Sequence, residues 1–313
     1  MKPMVILTGP TAAGKTDLSI ALAKAVNGAV ISADSMQVYK KMDIGTAKIM
    51  PEEMDGVEHY LVDELDPKEE FHVARFKEMA GKALEQIYAK GQIPIIVGGT
   101  GFYIQALLYD IQFTDTEKDE TYRKELEAFA VANGSQALHD RLAQVDPESA
   151  AAIHKNNRKR VIRALEYYKE TGEPISVHNR RERNRKSPYN FVYFVLTHQR
   201  DILYERINHR VDLMIKQGLV DEVQKLKEEG LDRSMVSMQG LGYKEILSYL
   251  DGEISLEEAI YLLKRDTRHF AKRQLTWFGR ERDVITIEKQ KYKDEEEILS
   301  YMLDIMKKRG IIC

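Results

Sequence analysis

An α/β fold, a parallel sheet covered by helices and interrupted by a mainly helical insertion domain, is predicted by three features of this 313-residue sequence. The stretch "GPTAAGKT" fits the spacing G-x-x-x-x-G-K-[ST] and sits between a strand pattern and a helix pattern. Short continuous apolar runs such as "IPIIV" suit strands covered on both faces. Strand signals then vanish from about Asp115 to Pro188 and return at "FVYFVLT". The expected layout is a P-loop NTPase-like core over residues 1–114 and 189–313, with a helical insertion over residues 115–188.

Each element follows from its pattern. "MVILTG" is a β-branched run broken by glycine, and "TDLSIALAKAV" opens a helix behind it. "GAVISAD" and "HYLVD" read as further strands, "VARFKEMAGKALEQIYAKG" as an amphipathic helix and "IPIIVGGTG" as a buried strand. This βαβ alternation places three loops, Gly9–Thr16, Asp34–Gln37 and Gly98–Gly101, at strand ends where parallel sheets collect ligands. After "FVYFVLT" the chain reads as helices through "RDILYERINHRVDLMIKQG", "LVDEVQKLKEEG" and "SLEEAIYLLKRDTRHFAKRQLTWFG". A last short strand, "DVITI", can rejoin the sheet.

Composition excludes several classes. The single cysteine, Cys313, permits neither a disulfide framework nor a thiolate zinc site. The N-terminal apolar run is too short for a signal peptide, and no segment has the length of apolar sequence that a membrane span needs. A cytoplasmic monomer is expected. Net charge is −3, yet residues 155–186 hold 11 Lys/Arg against 4 Asp/Glu, and residues 264–282 hold 7 against 2. Two basic patches in a slightly acidic chain suggest a polyanionic partner, although either alone also fits a solvated helix surface.

The motif Gly9, Pro10, Thr11, Ala12, Ala13, Gly14, Lys15 and Thr16 is a phosphate cradle. Its glycines let backbone N–H groups approach phosphate oxygens, the helix start is electropositive, Lys15 reaches in and Thr16 can ligate Mg2+. The parts of an ordinary NTPase are missing, because "IPIIVGGTG" ends without a magnesium-holding aspartate. The nearest carboxylate at a strand end is Asp34, placed to bind a ribose hydroxyl, to act as a general base or merely to cap a turn.

The combination "GPTAAGKT", "ADSMQVYKKMDIGTAK", "IIVGGTGFY", "NNRKRVIRALE", "QGLGYKE" and "AKRQLTWF" resembles the bacterial tRNA dimethylallyltransferases, also called tRNA isopentenyltransferases, in matching order along nearly the whole chain. The resemblance implies transfer of the allyl group of dimethylallyl diphosphate to N6 of adenosine 37 of tRNA, beside the anticodon, with Mg2+ at the departing diphosphate. It implies a general base at Asp34, a contact from Thr100 to the leaving oxygen and a diphosphate clamp at Arg210, with Arg206 the less favoured candidate. It further implies adenine and tRNA contacts from Asp34, Ser35, Met36 and Gln37, from the insertion segment Arg158, Lys159, Arg160, Val161, Ile162 and Arg163, and from Arg268, Lys272 and Arg273. Tyr167, Tyr168 and Trp277 are expected in the core rather than as stacking platforms. A small-molecule kinase using ATP, a nucleotide-gated RNA-binding module and a prenyltransferase acting on free adenylate share the cradle and remain alternatives on the residues alone.

Overall fold

The structure, a computed structural model, describes residues 1–113 and 120–313. The chain divides into two compact units, one formed by Met1–Leu108 with Pro188–Cys313 and the other by Tyr109–Ser187. The boundary read from sequence at 114/115 lies outside the described residues.

In chain order the first unit begins with β1 (Lys2–Thr8), α1 (Lys15–Val26), β2 (Gly28–Ser32), β3 (His59–Tyr60), α2 (Val73–Ala89), β4 (Ile93–Gly98) and α3 (Gly101–Leu108). The second unit holds α4 (Glu120–Val145), α5 (Pro147–Ala152), α6 (Arg158–Thr171) and α7 (Ile175–Arg183). The first unit resumes with β5 (Tyr189–Thr197), α8 (Arg200–Lys216), α9 (Leu219–Glu228), α10 (Tyr243–Leu250), α11 (Leu256–Phe278), β6 (Val284–Glu288) and α12 (Glu295–Lys308).

Among the described residues six strands form one parallel sheet, in the order β3-β2-β4-β1-β5-β6. The central strand β1 is apolar at every position from Met4 to Leu7, each fully buried. Successive side chains of a strand face opposite sides of the sheet, so such a run survives only where both faces are covered. Val5 and Leu7 join Ile95, Val192, Phe194 and Leu196 in a core closed by Leu18, Leu22 and Val26 of α1 and by Ile298, Met302 and Met306 of α12. On the opposite face α2, buried through Phe76, Ala80, Leu84 and Ile87, packs on β2 and β4. The expected strand "HYLVD" shortens to His59–Tyr60, and "DVITI" does rejoin the sheet as the edge strand β6.

The second unit has its own core of Leu126, Ala130, Leu138, Leu142, Val161, Ile162 and Leu165. Asp146 is almost fully buried, and its carboxylate accepts the Ser149 N–H at the start of α5 and the Ser176 N–H at the start of α7, each at 2.9 Å. The Arg123 guanidinium forks onto Glu166 with two 2.8 Å bonds. Among the described residues no helix is long and apolar enough to cross a membrane.

Candidate active site

The order β2-β4-β1 puts the loops after these three strands side by side at the carboxyl edge of the sheet, where parallel α/β proteins bind ligands. The Thr8 hydroxyl donates to Gly98 O at 2.6 Å, and the Ala33 N–H to Val97 O at 2.7 Å, so the strand ends are tied before the loops diverge. The loops enclose a cavity of about 390 Å³ lined in part by Lys15, Thr16, Asp34, Gln37, Arg206 and Arg210.

The loop Gly9–Thr16 turns into α1 through Gly14, whose φ of 79° belongs to the left-handed region that glycine adopts without steric cost. Long-range bonds hold this loop. The Thr11 N–H donates to Gln274 Oε1 at 2.8 Å, Gln274 Nε2 donates to Gly99 O at 3.0 Å, and Arg206 Nε donates to Ala12 O at 2.8 Å. The Thr11 N–H is therefore occupied by protein rather than left open toward the cavity, while Ala13 is buried beneath the loop. A Cβ at Gly99 would stand 2.2 Å from Gln274 Nε2, so a side chain there would displace the Gln274 amide from its place between the two loops.

Lys15, the first residue of α1, folds back so that Nζ donates to Gly9 O at 3.1 Å and Pro10 O at 2.8 Å. Enclosure by protein atoms, assisted by the charge of Arg210 and opposed by that of Asp34, lowers its pKa to about 8. Desolvation likewise holds Arg210 below its ordinary value, with Asp34 opposing and Arg206 adding to the effect. Each cation is short of counter-charge, which makes the cavity receptive to an anion. Thr16 is exposed at the wall.

Asp34 is the second residue after β2. Its Oδ1 accepts the Met36 N–H at 2.8 Å and the Gln37 N–H at 3.4 Å, a local turn that fixes the carboxylate, half-buried, on the cavity wall. The amide nitrogen of Gln37 donates to Thr46 O at 3.3 Å and Ala47 O at 3.0 Å, leaving its oxygen as the acceptor for a ligand. Ser35, Met36 and Thr100 are neighbours in sequence but do not line the cavity. The Thr100 backbone N–H ties this turn to Ala33 O at 3.2 Å.

The basic residues divide between the units. On α6, Arg158, Lys159, Arg160 and Arg163 are exposed, with Arg158 Nε donating to Ser135 Oγ at 2.7 Å. Val161 and Ile162, included in the expected tRNA-contacting segment, correct that expectation: they are 0% and 4% exposed and form the core of their unit. A helix turning 100° per residue must aim part of any contiguous segment inward. On α11 Lys272 and Arg273 are exposed, whereas Arg268 is partly buried and bonds Asn208 Oδ1 at 2.6 Å. Of the three aromatics expected in the core Tyr167 is buried, whereas Tyr168 and Trp277 are only partly buried, Trp277 packing against Gly101, where a Cβ would stand 2.2 Å from its indole nitrogen.

Sequence reasoning assigned no role to Gln274. The available signal was a polar residue on the apolar face of α11, between the buried Ala271 and Phe278.

A parallel sheet with the Gly9–Thr16 loop at its carboxyl edge, a helical insertion, and a carboxylate sharing one cavity with two cations define an α/β protein of P-loop-like fold. A model of the IPP transferase family matches residues 37–281, and the chain belongs to that family. It is 64% identical over 312 residues to the tRNA dimethylallyltransferase of Lachnoclostridium phytofermentans, covering 100% of both chains. It is 54% identical over 299 residues to that of Acetivibrio thermocellus, covering 96% of each. The crystal structure of the full-length tRNA isopentenylpyrophosphate transferase from Bacillus halodurans superposes with a TM-score of 0.73 at 48% identity, over 99% of this chain and 98% of that one. A eukaryotic dimethylallyltransferase described as acting on tRNA gives a TM-score of 0.84 at 29% identity, over 99% of this chain and 80% of that one.

Proposed function

We propose that this protein transfers the dimethylallyl group of dimethylallyl diphosphate to N6 of adenosine 37 of tRNA and releases diphosphate. The observation that carries the reading is the placement of Asp34 on the same cavity wall system as Lys15 and Arg210, so that a proton acceptor and leaving-group cations face one space. The allylic C–O bond breaks as negative charge grows on the departing diphosphate, while the adenine nitrogen forms the new C–N bond and gives up a proton. Lys15, Arg210 and the N–H groups opening α1 stabilise the departing charge. Asp34 accepts the proton through the oxygen that its own turn does not use, and Gln37 Oε1 accepts from the adenine amine.

Thr16 offers one hydroxyl at the cavity wall, which fits Mg2+ held mainly by diphosphate oxygens and water. Such an ion, when bound, would add counter-charge at the leaving group. The exposed cations of α6 and α11 bind tRNA phosphates, and Arg206, engaged with the loop carbonyl of Ala12, shapes the cradle while Arg210 clamps the diphosphate. A cytoplasmic location suits the tRNA substrate and the lone cysteine, and a monomer is part of the same proposal. Incubation with unmodified tRNA and dimethylallyl diphosphate, followed by nucleoside mass analysis, tests the reading. A prenylated adenosine is expected, whereas ATP turnover without the allyl donor returns the kinase alternative.

A further inference from the structure

The chain between Asp34 and Lys48 carries almost no regular structure, yet Gln37 and Thr46 both line the cavity. A backbone without a ladder must satisfy its polar groups in another way. Here three successive N–H groups converge on one carboxylate: Asp43 and Ile44 donate to Glu222 Oε2 at 2.9 and 2.7 Å, and Gly45 donates to Oε1 at 3.1 Å. The Tyr243 hydroxyl donates a fourth bond to Oε1 at 2.7 Å. Successive N–H groups of this kind form an anion-binding concavity, and in this chain the anion is a side chain of α9. Gly45 makes the approach possible, because a Cβ there would lie 2.6 Å from the Tyr243 ring.

The next two residues pass the constraint on. Thr46 and Ala47 present the carbonyls that hold the Gln37 amide, so the bonds run from α9 through residues 43–47 to a cavity-lining side chain three residues from Asp34. Glu222 itself does not line the cavity. The phosphate loop is braced separately, by Gln274 and Arg206.

We propose that Glu222 is a positioning residue for the acceptor base, acting through the 43–47 backbone on Gln37 and leaving the diphosphate subsite untouched. This rests on the prenyl-transfer reading with adenine at Asp34 and Gln37. A misplacement of about 1 Å at a reacting pair can cost on the order of 100-fold in rate. Glu222→Ala is therefore expected to lower single-turnover kcat for tRNA by roughly 10- to 100-fold. Binding of inorganic diphosphate should stay within about twofold, and tRNA KM within about threefold, because phosphate contacts dominate tRNA affinity. Glu222→Gln keeps an oxygen for two of the N–H donors but turns an amide donor toward Gly45 N–H, so its loss should be intermediate. Tyr243→Phe removes one bond of the four and should show the smallest loss.

The experiment measures prenyl transfer and diphosphate binding on the three full-length variants beside the wild-type chain. An unchanged kcat in Glu222→Ala overturns the proposal, and so does a fall in diphosphate affinity that parallels the fall in kcat, the signature of general destabilisation. If Glu222→Ala does not fold, the two milder variants decide, and wild-type kcat in both overturns it. Failure of the wild-type chain to prenylate tRNA defeats the underlying reading instead, an outcome seen before any variant is made.

Discussion

Replacing Gln274 with glutamate changes one NH2 to an oxygen at a position that is 5% exposed. The amide uses both of its faces, accepting the Thr11 N–H at 2.8 Å and donating to Gly99 O at 3.0 Å, and so joins the phosphate loop to the loop after β4. An ionised carboxylate still accepts from Thr11 but sets an oxygen against the Gly99 carbonyl oxygen. One bond is lost and two buried acceptors, Gly99 O and the new carboxylate oxygen, face each other without a donor, at a cost of about 1–3 kcal/mol or more. If that cost falls on the loop geometry that binds diphosphate, affinity should drop by roughly 10- to 100-fold, since about 1.4 kcal/mol is a factor of ten. A protonated carboxyl can both accept and donate, so the defect in Gln274→Glu should shrink as pH falls from about 7 to 5, a range below the titration of Lys15 near 8. Gln274→Ala lacks any such group and should show the defect without the recovery. The assay is calorimetric titration of both variants with inorganic diphosphate across this pH range, with thermal unfolding alongside. Wild-type affinity in both variants, or the same pH response in both, refutes the argument that Gln274 braces the cradle.

Three further outcomes are expected. Diphosphate affinity should fall as pH rises through about 8, because Lys15 titrates there in the free protein and a bound anion raises its pKa; proton uptake on binding near that pH, read from buffers of different ionisation enthalpy, checks the sign, and a flat profile contradicts it. Asp34→Ala and Asp34→Asn should each reduce single-turnover prenyl transfer by roughly 10²–10⁴-fold with tRNA affinity little changed, and a near-normal rate for Asn would make Asp34 an orienting group only. Replacing the exposed Lys159, Arg160 and Arg163 with alanine should flatten the salt dependence of tRNA binding by about two to three units if each meets one phosphate, with an unchanged slope assigning α6 to a merely solvated surface.

The sheet was legible because its signals are local. Continuous apolar runs mark β1, β4 and β5, and the Gly14-Lys15 turn marks the strand-to-helix junction, with no distant partner needed. The stretch from Asp34 to Glu58 was not legible, since much of its order comes from Glu222 and Tyr243, almost 180 residues or more further along the chain, and the nearer Lys48 ammonium, held by Asp43, Asp63 and Tyr39 O, follows no periodic pattern. Val161 and Ile162 were read with their cationic neighbours as one contiguous segment, although the helical period separates them from those neighbours by face. Asp34, Lys15 and Arg210 could be named from motifs, but their convergence on one cavity depends on β4 lying between β2 and β1, an order that sequence periodicity does not encode. The self-engagement of Lys15 with its own loop carbonyls has no sequence signal at all.

The pairing of β1 with β5 has a consequence for synthesis. β1 bonds to β4 on one side and over Lys2–Thr8 to β5 on the other, yet residues 109–187 lie between β4 and β5 in the chain. At about 5–20 residues per second, a ribosome takes on the order of 4–16 s to deliver that stretch. Throughout this interval the nascent first segment carries an apolar β1 with one open hydrogen-bonding edge, and α12, which closes one face of the sheet, arrives last of all. An open apolar edge is the template for wrong strand pairing, so the growing chain has reason to engage a ribosome-associated chaperone until its final hundred residues emerge.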